Sequence, residues 1–371
     1  MKLTFEKESI LNGLNIVSKA IPSKTTMSIL ECILIDASAN EIKFTANDME
    51  MGIETKVEGL ILEKGKIALE AKLFYEIIRK LSTEDSAISI ESDEKFNTTI
   101  SCGKSVFNIP GRDGEEFSYL PYIERDHHIC LSQFTLKEAI RQTIFSISVN
   151  DSNKMMSGEL FEVKENKLRV VSLDGHRISI RNITLKENYD AIKVIVPGKT
   201  LTEISKILSG DNEKDVQIYF SKNHILFEFD DTIMVSRLIE GEYFKIDNML
   251  SSDYETKVTV NKKEFLDNID RAMILIRESD RKPIILNVTD TEIGLRVKSA
   301  FGSMNSQVSA HKTGRDIMIA FNPKFLVDAL RAIDDETVDL YMMNPKSPCF
   351  IRDEEEQYIY LILPVNFIAE N

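Results

Sequence analysis

The sequence predicts an α+β protein made of one unit repeated three times. Three observations predict it. A β-run, a lysine and an amphipathic helix recur with a period of roughly 125 residues. An alternating strand recurs with the same period, and so does a helix near the start of each unit.

In the first series, Lys66-Ile67-Ala68-Leu69-Glu70-Ala71-Lys72 runs into Leu73-Phe74-Tyr75-Glu76-Ile77-Ile78. Lys193-Val194-Ile195-Val196-Pro197-Gly198-Lys199 runs into Thr200-Leu201-Thr202-Glu203-Ile204. Met318-Ile319-Ala320-Phe321-Asn322-Pro323-Lys324 runs into Phe325-Leu326-Val327-Asp328-Ala329-Leu330. The second series is Glu41–Ala46, Lys167–Ser172 and Glu292–Val297, each alternating as a half-buried strand does. The third is a helix beginning near Glu6, Ser132 and Asn261.

Each unit therefore reads helix, strands, helix, strands. Helices are expected over 6–21, 71–82, 132–149, 198–209, 261–277 and 322–333. Asn261 with Glu264 looks like a capping box, and Asn322 before Pro323 an N-cap followed by proline. Ala87–Ile90 and Val338–Tyr341 alternate like strands with one solvated face. The expected domains are 1–124, 125–252 and 253–371.

Composition limits the functional classes. The 371 residues are 43% hydrophobic and 29% charged, as in ordinary globular domains. No apolar run approaches a membrane span, and Met1–Phe5 does not open a signal peptide. Cys32, Cys102, Cys130 and Cys349 are far apart, so no zinc site or disulfide framework is expected. Cytoplasmic location follows from that cysteine usage. No cofactor motif occurs: GxSxG, P-loop, GxGxxG and HExxH are all missing.

The net charge of −14 is unlike a nucleic-acid binder when taken alone. Its distribution is different. The six helix windows hold fifteen basic and nine acidic residues, so the rest of the chain carries more than the whole negative charge. A surface built from those helices would attract phosphate. The candidates are Lys24, Lys72, Arg79, Lys80, Arg141 and Lys199, with Lys206, Lys263, Arg271, Lys324 and Arg331. Lys19 and Arg277 belong to the same set. Few aromatics interleave with them, which suits sequence-independent contact with a duplex backbone.

Several segments give the repeat a family resemblance. Leu173-Asp174-Gly175-His176-Arg177-Ile178, Asn47-Asp48-Met49-Glu50 and Tyr360-Leu361-Ile362-Leu363-Pro364-Val365 are similar to segments of the bacterial DNA polymerase III beta subunit, the sliding clamp. The resemblance covers about residues 1 to 367. It implies three clamp domains with helices inside and antiparallel sheets outside, closed head to tail into a homodimeric ring. Twelve helices at about 9–10 Å spacing would leave a hole of roughly 25–28 Å, wide enough for a hydrated duplex. The implied function is non-catalytic: a processivity factor that encircles double-stranded DNA and tethers the replicative polymerase. A separate ATP-driven loader and other proteins carrying a clamp-binding motif are the further implied partners.

The resemblance also implies a partner-peptide pocket. Met156, Leu173, Gly175, His176, Arg177 and Ile178 would form part of it. Met249, Leu361, Leu363, Pro364 and Val365 would form the rest. The family's G-x-[FY]-P segment reads Gly241-Glu242-Tyr243-Phe244-Lys245 here, placing Phe244 where the proline would be. The family's terminal Met-Pro-Met-Arg reads Leu363-Pro364-Val365-Asn366, so the arginine is replaced. At the dimer interface, Phe107 and Ile109 would meet Ile274 and Leu275.

Two other classes remain in view. An enzyme could use Asp174, His176 and Arg177, with His127 and His128 as metal ligands, yet no nucleophile accompanies them. A repeat-built protein adaptor would not need the basic helices.

Overall fold

The computed structural model describes residues 1–82, 87–148, 153–251, 253–277 and 282–367. Among the described residues, six α-helices alternate with antiparallel strands. They are α1 (Lys7–Val17), α2 (Ala71–Lys80), α3 (Gln133–Thr143), α4 (Gly198–Ile207), α5 (Lys262–Met273) and α6 (Pro323–Ala332). The expected caps form: Asn261 Oδ1 accepts from Glu264 N at 2.9 Å, and Asn322 Oδ1 from Lys324 N at 3.1 Å. Glu70 caps α2 in the same way, accepting from Leu73 N at 2.6 Å.

The helices end earlier than periodicity suggests. After α1 and α3 the chain tightens into 3-10 turns at Ser18–Ala20 and Ile144–Ser146. After α5, Leu275 N bonds to Ala272 O and Ile276 N to Met273 O. Met273, Leu275 and Ile276 pack on the core there, while Ile274 stays 81% exposed. The expected end of the third helix at Val149 and the tail Ile368–Asn371 lie outside the described residues.

The chain forms two compact units. The first comprises Met1–Thr135 and Lys206–Leu238. It holds a five-stranded sheet in the order Leu60–Glu63, Lys2–Phe5, Ile88–Ser92, Asn97–Cys102, Ser105–Pro110. Its nine-stranded sheet mixes two repeats, because Met51–Val57 pairs with Thr232–Arg237, Met51 opposite Ser236.

The second unit comprises Leu136–Ser205 and Ile239–Asn371. Its ten-stranded sheet does the same: Arg177–Pro197 pairs with Tyr358–Ile362, Arg177 opposite Ile362. The compact units thus do not follow the repeat. Strand pairing carries second-repeat strands into sheets with the first and third repeats, which removes exposed edges at those borders. One continuous apolar core in the second unit includes Phe265, Phe321, Leu326 and Leu330, all fully buried.

Candidate functional site

The Asp174 turn builds the site. Gly158–Leu173 and Arg177–Pro197 are antiparallel partners, with Leu173 opposite Ile178. Asp174 Oδ1 accepts from His176 N at 3.0 Å and Arg177 N at 3.1 Å. Gly175 has φ +83, a left-handed conformation that costs glycine little. The terminal strand then lies beside this hairpin, and Leu363 N donates to His176 O at 2.9 Å. Alternation along the paired strands turns Ile178, Leu361 and Leu363 to one opening.

That opening is a cavity of about 430 Å³. Its lining contains Met156, Leu173, Gly175, His176, Arg177 and Ile178. Phe244, Met249, Leu361 and Leu363 complete the part anticipated from sequence. Pro364 and Val365 run on past it, where Val365 N bonds to Ala320 O at 2.8 Å. Pro348 also lines the cavity and was missed; it sits in a turn with no motif around it. Two methionines, leucines and a phenylalanine make an adaptable apolar wall. Phe244 meets the buried Tyr243 edge-on at 5.7 Å, and Tyr243 donates to Val171 O at 3.3 Å.

On the Gly158–Leu173 strand, Glu159 is fully buried. Loss of hydration pushes its carboxyl up to about 8, the Thr143 hydroxyl offsetting part of the effect. Burial thus favours its protonated form.

The Asp174–His176–Arg177 group is occupied structurally. Asp174 Oδ2 accepts from Arg177 Nε at 2.9 Å, and the His176 ring stacks on Phe325 at 6.1 Å. Among the described residues, no group of three or more His, Cys, Asp and Glu is placed to hold a metal.

The basic candidates divide by unit. In the first, Lys24, Lys72, Arg79, Lys80 and Lys206 are exposed, with Arg79 paired to Glu76 at 2.7 Å. In the second, Lys199, Lys263, Arg271, Lys324 and Arg331 are exposed, with Arg331 paired to Asp270 at 3.0 Å. Arg141 is half-buried and committed to Glu138 and Asp334, each at 2.6 Å. Of the interface candidates, Phe107 is 39% exposed and Ile274 more so. Ile109 is buried in its own unit and Leu275 half-buried. Val106, which sequence did not single out, is 59% exposed on the same strand as Phe107.

Three family descriptions match in succession. They are the N-terminal domain of the DNA polymerase III beta subunit over 1–121, the central domain over 130–245 and the C-terminal domain over 248–366. The chain belongs to the DNA polymerase III beta subunit family. A beta sliding clamp of Staphylococcus aureus is 34% identical, covering 98% of this chain and 99% of that one. A crystal structure of a putative DNA polymerase III beta subunit from Eubacterium rectale is 65% identical with TM-score 0.95. It covers 99% of this chain and 100% of that one. The Bacillus subtilis sliding clamp structure has the same TM-score and coverage at 32% identity. The fold is three beta-clamp domains of antiparallel sheets with helices. The family is a non-catalytic processivity factor of DNA replication. Among the described residues, no helix is long and apolar enough to cross a membrane.

Proposed function

We propose that two copies close head to tail into a ring that encircles duplex DNA and tethers the replicative polymerase. Its three domains are 1–124, 125–252 and 253–371. The exposed lysines and arginines of the six helices face the duplex. The cavity at Leu173, Ile178 and Leu361 takes a short peptide with apolar anchors from the polymerase, the clamp loader or other partners. A separate ATP-driven loader opens the ring, which works in the cytoplasm.

The observation that carries this reading is the repeated strand junction. Met51–Val57 with Thr232–Arg237, and Arg177–Pro197 with Tyr358–Ile362, are the same pairing one repeat apart. A third such junction needs Gly302–Gly314 and Ser105–Pro110. Among the described residues, Ser105–Pro110 is the outermost strand of its sheet. The Gly302–Ser309 stretch pairs with Glu292–Ser299, and Gly302–Gly314 meets Thr256–Asn261 only from Ala310 onward. Two copies supply each other's missing partner, a heterologous contact that closes after two subunits.

The repeat also gives the register. Phe107 stands where Met234 stands, opposite Ile100 as Met234 is opposite Phe227. Met234 pairs with Ile53, whose counterpart in the third repeat is Met304. Phe107 of one copy therefore lies opposite Met304 of the other. Ile274 lies on the same seam.

Retention on DNA tests the ring. The protein is loaded with its loader onto a nicked circle, and half the sample is linearised. It should stay on circles, even in high salt that strips phosphate-bound proteins, and slide off linear ends. Equal loss from both would refute encirclement. Neutralising Lys72, Arg79, Lys199 and Lys324 together should slow loading onto DNA while leaving closed rings retained on circles; an adaptor that never meets DNA would be indifferent.

A further inference from the structure

Arg177 lines the cavity, yet its hydrogen-bonding groups are used inside the protein. Only 7% of the residue is exposed. Nε donates to Asp174 Oδ2 at 2.9 Å, Nη1 to Asp328 Oδ2 at 2.6 Å, and Nη2 to the Phe145 carbonyl. The guanidinium also lies 4.5 Å from the Phe325 ring centre and 5.4 Å from that of Phe145.

Phe325 and Asp328 are three residues apart on α6, one turn on one face. Phe325 additionally stacks on the His176 imidazole at an interplanar angle of 21°. Arg177 in the cavity wall is thus held by an α6 side chain, Asp328, that is not among the lining residues.

We propose that Asp328 is a positioning residue of the peptide site. It fixes Arg177 in the arrangement a peptide meets, so that little ordering is left to be done on binding. This rests on reading the cavity as a peptide site. The physical reason is the cost of a buried cation short of an acceptor. Without Asp328, the guanidinium must draw in water or turn toward the nearest opening, which is the cavity. Either change alters the wall without removing any atom that touches the ligand. The first repeat shows the contrast: the residue corresponding to Arg177 is Met51, which has no cation to hold.

The test is fluorescence anisotropy on the full chain, with a fluorescein-labelled peptide carrying a glutamine and apolar anchors. Asp328→Ala should weaken binding on the order of tenfold, mostly through faster dissociation. Asp328→Glu should recover most of the affinity. Asp328→Ala combined with Arg177→Met should cost less than the two single losses added together, because they act as one unit. If Asp328→Ala does not fold, Asp328→Asn carries the same prediction, keeping the side chain's shape and removing its charge. Leu363→Asp, in the lining itself, separates the two levels. If it leaves the peptide bound, the cavity is not the site and the positioning role falls with it. If it abolishes binding while Asp328→Ala and Asp328→Asn bind as the parent does, the peptide-site reading survives. The positioning role is then overturned.

Discussion

The first and second repeats meet the next repeat through the same local structure, and yet they build two different pockets. At the first border Asp48 Oδ1 accepts from Glu50 N and Met51 N, as Asp174 does from His176 N and Arg177 N at the second. Met49 has φ 74 where Gly175 has φ 83. Arg237 N donates to Glu50 O at 2.9 Å, as Leu363 N donates to His176 O at the same distance. The backbone frame is shared down to single hydrogen bonds.

The side chains hung on that frame differ. Leu173, His176, Ile178, Leu361 and Leu363 correspond to Asn47, Glu50, Gly52, Val235 and Arg237. The first pocket is only about 100 Å³. Leu120 reaches so close to Gly52 that a methyl there would sit 2.0 Å from its Cδ2. Glu50 and Arg237 face each other across the rim at 3.6 Å. Topology supplies the position of a pocket; a handful of substitutions decides whether it is open and apolar or closed and charged.

The comparison is broken most severely at Leu363. Leu363→Asp places an unpaired charge in an apolar wall, costing several kcal/mol of peptide affinity and leaving binding undetectable by anisotropy. The next largest effect is on stability. Glu159 corresponds to Ile33, which is fully buried in the first unit. Its carboxyl titrates at about 8 in the folded chain, above the ordinary value of 4.5. The folded state therefore holds this proton more tightly than the unfolded one. That contribution is complete below about pH 4.5 and is lost as pH rises to about 8, a change on the order of 5 kcal/mol. Glu159→Gln should flatten this slope, so that urea unfolding at pH 8.5 shows the variant more stable than the parent. An unchanged pH slope would mean that Glu159 is ionised in the fold. The smallest effect is at the first border. Leu120→Ala should enlarge that pocket and cost about 1–2 kcal/mol in urea unfolding, the side chain being half-buried. It should create no second peptide site, because Glu50 and Arg237 still guard the rim.

Much of this was legible in the sequence, and the reasons it was legible are specific. A fixed period exposed the repeat because each unit must bury the same strand and helix faces. The Asp174-Gly175-His176-Arg177 turn, Phe244 and the terminal strand located the cavity through resemblance. Pro348 did not announce itself, since a proline in a turn carries no mark of what it faces. The role of Asp328 was hidden by 151 positions of separation from Arg177. Basic residues were visible, but their partners were not: Arg141 is engaged by two carboxylates, one of them 193 positions away. The closed first pocket could have been inferred, since Asn47–Glu50 stands one period before the Asp174 turn. Helix ends were overdrawn because apolar periodicity continues through the 3-10 turns that follow α1 and α3.

The most direct measurement is a calorimetric titration of the full chain with the glutamine-bearing peptide, repeated on Arg237→Glu. One peptide should bind per chain, with the same affinity in both proteins, since Arg237 occupies at the first border the place of Leu363. Two peptides per chain, or loss of binding in Arg237→Glu, would contradict the account.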